Sequence, residues 1–89
     1  MERKRITIVN KLGLHARAAA KFVTLASRFK SDVRLVRGEK AVSGKSIMGV
    51  MMLAAAKGTE LELIAEGADA AQAVLELERL VNERFGETD

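Results

Sequence analysis

Lys11-Leu12-Gly13-Leu14-His15-Ala16-Arg17-Ala18-Ala19-Ala20-Lys21-Phe22-Val23 contains the only histidine of the chain. Beyond it, apolar side chains recur at Ala19, Phe22, Val23, Ala26 and Phe29. That i, i+3, i+4, i+7 spacing predicts a helix from about Ala16 to Phe29 with one buried stripe. Gly13 supplies the bend before the helix, and Ala16 and Ala18 fill its first turn without obstructing the approach of another molecule. Arg17 then sits where a cation opposes the helix dipole, at a cost of roughly 0.3 to 1 kcal/mol. A bound anion reverses that sign. The first turn offers unpaired N–H groups, Arg17 a planar fork suited to phosphate oxygens, and His15 a nitrogen nucleophile active near neutral pH. A lone histidine in such a place ordinarily caps or packs the helix; Arg17, for which stability gives no reason, argues instead for a phosphoryl acceptor.

On either side of this helix the pattern changes to period two. Residues 3 to 9 place Ile6 and Ile8 on one side and Arg5 and Thr7 on the other, a half-buried strand. After the helix, whose end has Arg28 and Lys30 near its negative pole, Val33 and Leu35 alternate with Asp32, Arg34 and Arg37. Gly38-Glu39 makes a tight turn into a short strand from Lys40 to Ser43, so residues 32 to 43 read as a hairpin. A fourth strand points Leu61, Leu63 and Ala65 inward against Glu60, Glu62 and Glu66. Asp69 with Gln72 resembles a capping box, opening a last helix with the stripe Ala70, Val74, Leu77, Val81 and Phe85. The order is βαββαβα, and residues 1–89 read as a single α+β domain. One four-stranded antiparallel sheet is expected, with three helices on one face and the other face wet.

A second constellation is Gly44-Lys45-Ser46-Ile47-Met48-Gly49-Val50-Met51-Met52-Leu53. It looks like the end of a P-loop, but position 39, where that motif needs glycine, is Glu39, and no nucleotide fold stands behind it. Ser46 is a good N-cap for a short second helix, and Lys57-Gly58 suits the end of that region. Two turns cannot turn Ile47, Met48, Met51 and Met52 all into the core. About half are expected to fill core gaps and the rest to form an adaptable docking surface. As a cap Ser46 contributes about 1 kcal/mol; as a modification site it would carry a phosphate favoured by the helix dipole and Lys45 but set beside the docking patch.

Eighty-nine residues, 48% hydrophobic and 30% charged, suit a globular chain with one modest core. Without cysteine there is no disulfide framework or thiolate site, and a lone histidine argues against zinc. No segment reads as a signal peptide or a bilayer span, so a cytoplasmic location is expected. The net charge of +3 is unevenly spread: through Lys57, 13 Lys/Arg against three acids give +10, and from Gly58 two against nine give −7. The basic half suits an anionic substrate or an acidic protein surface. Nucleic acid fits less well, since Tyr and Trp are absent and all three Phe are expected to be buried.

Taken together, Gly13-Leu14-His15-Ala16-Arg17, Gly44-Lys45-Ser46-Ile47-Met48-Gly49 and the distance between them resemble the HPr family, the histidine-containing phosphocarriers of the bacterial phosphoenolpyruvate-dependent phosphotransferase system. The resemblance spans nearly the whole chain. It implies an open-faced β-sandwich in which His15 receives a phosphoryl group on Nδ1 from phosphorylated enzyme I and passes it to an EIIA-type protein or domain. Arg17 would hold the phosphate with the first-turn backbone of Ala16 and Ala18. Ala20, Lys21, Lys45, Ile47, Met48 and Met51 would meet the partners, and Ser46 matches the position modified by an HPr kinase/phosphorylase in bacteria that have one. Such a carrier is a monomer, needs no metal or organic cofactor, and is not itself an enzyme. One departure stands out: the family usually has proline after the arginine, and here that residue is Ala18. The competing class is a ferredoxin-like domain binding a small ligand or RNA, whose βαββαβ order is similar. An RNA-binding version needs aromatic residues on strand faces, and a ligand-binding one has no use for Arg17 at a helix start.

Overall fold

The computed structural model describes residues 1–88. The strands are β1 (Glu2–Thr7), β2 (Asp32–Arg37), β3 (Lys40–Ser43) and β4 (Glu60–Glu66), and the helices α1 (Ala16–Ala26), α2 (Ile47–Met52) and α3 (Ala70–Asn82). They follow one another as βαββαβα, with a single 3₁₀ turn at Arg84–Gly86. The strands form one antiparallel sheet in the order β1-β4-β2-β3, so β4 enters between the first two. Register follows from the alternation: Ile6 lies opposite Leu61, Val33 opposite Ala65, and Leu35 opposite Leu63. These inward residues are all buried, and onto them pack Ala18, Ala19, Phe22 and Ala26 of α1, Val50 and Leu53 around α2, and Ala73, Leu77 and Val81 of α3. Full burial of one such Val, Leu, Ile or Phe side chain is worth about 1.5 to 3 kcal/mol. All three helices therefore lie on one face. The other face holds the exposed pairs Arg3–Glu62 (3.1 Å), Arg5–Glu60 (3.7 Å) and Arg34–Asp32 (3.1 Å), which keep it wet more than they stabilise it. The result is an α+β open-faced sandwich.

Four local expectations are corrected. α1 stops at Ala26, not Phe29: Arg28 and Phe29 donate backward to Leu25 (3.0 Å) and Ala26 (3.2 Å), and these tighter bonds end the helix. Arg28 and Lys30 thus lie beyond its last turn. Asp69 and Gln72 form no capping box. The Asp69 carboxylate makes no cap bond at α3 and instead accepts from the Lys30 and Ser31 amides (2.9 Å each) and the Ser31 hydroxyl, while Gln72 turns to Glu76. The Ser31 hydroxyl bond, followed by the Lys30 amide, lowers the Asp69 carboxyl to about 2. α2 ends at Met52, well before Lys57-Gly58. Arg37 and Lys40 reach in from the hairpin to its final carbonyls, Arg37 to Leu53 (2.8 Å) and Ala54 (3.1 Å), Lys40 to Met52 (3.2 Å). Finally, none of Ile47, Met48, Met51 and Met52 is buried, because Val50 and Leu53 take the inward positions.

Candidate functional site

Residues 8–15 carry the chain from β1 to α1 in a pinned loop. Gly13 has φ +68° and sits so close to the segment after α2 that a Cβ there would come within 2.4 Å of the Ala55 carbonyl oxygen, which itself accepts the Leu14 N–H at 2.9 Å. Only glycine fits. The buried Asn10 side chain donates through Nδ2 to the Gly13 carbonyl at 2.8 Å.

This loop delivers His15 to the N-cap of α1 with extended backbone (φ −72°, ψ 176°) and no side-chain cap bond. The first backbone bond of the helix runs from the Ala19 N–H to the His15 carbonyl. Ahead of it, the amides of Ala16, Arg17 and Ala18 have no acceptor among the described residues. They are the donors a helix start leaves open. The imidazole is about a quarter exposed and lines a cleft of about 330 Å³ with Lys11, Leu12, Arg17, Glu87 and Thr88. Arg17 is exposed and also borders a neighbouring groove of about 430 Å³ between α1 and α3, with Ala20, Lys21 and Arg28 along its rim. The arrangement puts a nitrogen nucleophile and Arg17 in one cleft, at a helix start whose first amides have no acceptor among the described residues, which suits an anion covalently held on the ring.

Sequence reasoning missed Glu87. Its Oε2 lies 2.6 Å from His15 Nε2, and its Oε1 accepts from Asn10 Nδ2 at 3.0 Å. The His15 hydrogen bond holds the Glu87 carboxyl below its usual range against the opposing effect of burial, helped by the Asn10 bond and the field of His15 and Arg17. A carboxylate 72 residues away in sequence leaves no local pattern. Nothing in the sequence pointed to it, and the burial of Asn10, which holds it, shows only in the fold.

The remaining predicted residues fall into two groups. Lys21 and Lys45 are tethered, their ammonium groups donating to the Phe85 carbonyl (2.7 Å) and the Phe29 carbonyl (2.8 Å). Ile47 (44%), Met48 (74%) and Met51 (41%) are exposed on α2, which packs against α1, and exposed Leu12 adds an apolar residue beside His15. Ser46 is the exposed cap of α2, its Oγ accepting the Gly49 N–H at 3.1 Å. Among the described residues no cluster of His, Cys, Asp or Glu could hold a metal ion, and no helix is long and apolar enough to cross a membrane.

The family described as PTS HPr component phosphorylation site matches residues 2–83. The phosphocarrier protein HPr of Pseudomonas aeruginosa is 59% identical over 83 residues, covering 92% of both chains. That of Neisseria meningitidis is 56% identical over 87 residues, covering 98% of both. The crystal structure of HPr-C-His from Thermoanaerobacter tengcongensis, 44% identical, superposes with a TM-score of 0.96 over the whole of both chains. Sequence and fold agree with these relatives, and the chain belongs to the HPr family, the phosphocarrier proteins of the phosphotransferase system.

Proposed function

We propose that His15 Nδ1 accepts a phosphoryl group from phosphorylated enzyme I and hands it to an EIIA-type protein or domain. One observation carries this reading: a part-exposed imidazole stands at a helix start with open amides, in the same cleft as Arg17. The two transfers are in-line displacements at phosphorus, with His15 as nucleophile in the first and leaving group in the second. The amides of Ala16, Arg17 and Ala18 and the Arg17 guanidinium hold the phosphoryl oxygens. Because the cleft is open, two different partner sites reach the same nitrogen. Ile47, Met48 and Met51 give both partners an apolar footing beside Ala20, while Lys21 and Lys45, although tethered, keep their charge and steer acidic surfaces. The chain works as a single cytoplasmic domain and monomer, a carrier and not an enzyme, with no metal or organic cofactor of its own.

Ser46 is a regulatory position in the same reading. A phosphate placed on its exposed hydroxyl by an HPr kinase/phosphorylase would set negative charge next to Met48 and repel acidic partners without unfolding α2. Incubation with enzyme I and labelled phosphoenolpyruvate tests the main proposal. Acid-labile, alkali-stable label on His15 that chases to an EIIA-type acceptor is expected. A chain that stays unlabelled favours the small-ligand binding module and removes the carrier.

A further inference from the structure

After α3 the backbone does something costly. Arg84 (φ 57°), Phe85 (φ 55°) and Gly86 (φ 79°) lie one after another in the left-handed region, and two of the three carry a Cβ. Such a run persists only where its surroundings force it. Phe85 is fully buried, and the Lys21 ammonium seizes its carbonyl at 2.7 Å. The Glu87 N–H folds back onto the Arg84 carbonyl at 2.9 Å. At the end of this strap the Glu87 side chain is gripped at both oxygens, by Asn10 and by His15. Asn10 accepts a penalty for its part: its Oδ1 is buried with no hydrogen-bond partner among the described residues, while Nδ2 serves both the Gly13 carbonyl and Glu87.

We infer that the strap exists to deliver the Glu87 carboxylate to the imidazole. Glu87 is a positioning residue that keeps the ring proton on Nε2, leaves the Nδ1 lone pair free for phosphorus, and balances the charge of the ring while it carries the phosphoryl group. This inference rests on the carrier function proposed above. Asn10 Nδ2 lies against two acceptors, the Gly13 carbonyl and Glu87 Oε1, so Oε1 is already occupied and Oε2 faces the ring. A carboxylate ionised throughout the neutral range has no proton to donate, so the 2.6 Å contact requires N–H on Nε2. The neutral ring therefore holds its lone pair on Nδ1. In the transfer that pair forms the N–P bond, the bond from phosphorus to the donor nitrogen breaks with its electrons going to the donor, and the Nε2 proton stays in place. The ring is left with a positive charge, which the adjacent carboxylate offsets until the group departs. No proton enters or leaves the imidazole in either direction, and this suits a carrier that must give away what it accepts.

Two substitutions, the near-isosteric Glu87→Gln and the truncating Glu87→Ala, separate charge from shape. In ¹⁵N-histidine spectra of the intact unphosphorylated chain, the wild type is expected to show a slowly exchanging, low-field Nε2–H proton, and Glu87→Gln and Glu87→Ala to lose it. In equilibrium with enzyme I and phosphoenolpyruvate, the same variants are expected to hold the phosphoryl group about tenfold less favourably, as befits loss of a charge-assisted hydrogen bond, with unchanged circular dichroism. A Glu87→Gln chain that keeps the slow proton and an equilibrium within about twofold of wild type overturns the inference and leaves the carrier function standing. A wild-type chain that takes no label removes the carrier function and the charge-balancing role with it, while the proton signal still decides whether Glu87 holds the ring.

Discussion

Two helix starts in this molecule are assembled from similar parts and finished differently. At α2, Ser46 turns its hydroxyl onto the Gly49 N–H at 3.1 Å, so the helix closes its own end. At α1, His15 holds the same cap position with the same extended backbone, yet its side chain makes no cap bond and turns to Glu87. The amides of Ala16, Arg17 and Ala18 stay open among the described residues. What separates a stability device from a binding site is thus the group that the cap side chain bonds, not its place in the sequence. The first turns agree. α1 carries a cation there, against its dipole, and α2 carries only apolar side chains.

The largest effect expected from this contrast is that of His15→Ala. Phosphoryl acceptance from enzyme I should vanish in a labelling assay, while the unfolding free energy, compared in a Glu87→Ala background where the His15–Glu87 bond is already absent, falls by less than about 1 kcal/mol, since no cap bond is lost. Next comes Arg17→Gln, whose two consequences run in opposite directions. Acceptance should slow about 100-fold, as for removal of one strong donor to a developing anion. Stability in denaturant should rise by roughly 0.3 to 1 kcal/mol, because a cation leaves the positive end of a helix. A variant that loses activity and stability together would mean that Arg17 braces the fold and that the two helix starts differ less than their caps suggest.

The fold was readable because its signals are local and repeated. Alternation in Ile6, Val33, Leu35, Leu61, Leu63 and Ala65 chose the inner face of the sheet, and each of these residues is buried. His15 and Arg17 were readable for the opposite reason: Arg17 breaks a local rule, and such breaks gather at functional sites. What escaped was long-range. Asp69 looked like the cap of its own helix, but Lys30 and Ser31 offer three donors that Gln72 cannot match, and that preference exists only once α3 lies beside the start of β2. Glu87 escaped for the same reason, since its partners Asn10 and His15 lie at the other end of the chain. The methionines of α2 were half misjudged because periodicity over six residues cannot show that Val50 and Leu53 alone reach the core.

Ser46→Ala should mirror His15→Ala. The loss of one satisfied cap is expected to cost about 1 kcal/mol in chemical denaturation, with phosphoryl acceptance at His15 within about twofold of wild type. Equal stability costs at the two caps would show that His15 closes its helix after all.

Ala18→Pro is expected to have only a modest effect, and it is the most discriminating. Ala18 and Gly49 stand at the same place, third in their helices. Proline removes an N–H and fixes φ, and at a first turn it is tolerated where that N–H has no partner in the chain. At position 18 the N–H bonds nothing among the described residues, so its loss should spare stability to within about 1 kcal/mol. The phosphoryl group would lose one of three backbone donors, and the transfer equilibrium with enzyme I should shift by about threefold to tenfold, the worth of one ordinary hydrogen bond. At position 49 the N–H is the one that Ser46 caps, and even a bare Cβ would press within 3.3 Å of the Ser46 hydroxyl. Gly49→Pro should therefore cost at least about 1 kcal/mol in stability and leave the transfer equilibrium alone. If the two prolines instead cost the same in denaturant, the amides of α1 are engaged within the chain and its helix start is no more open than that of α2.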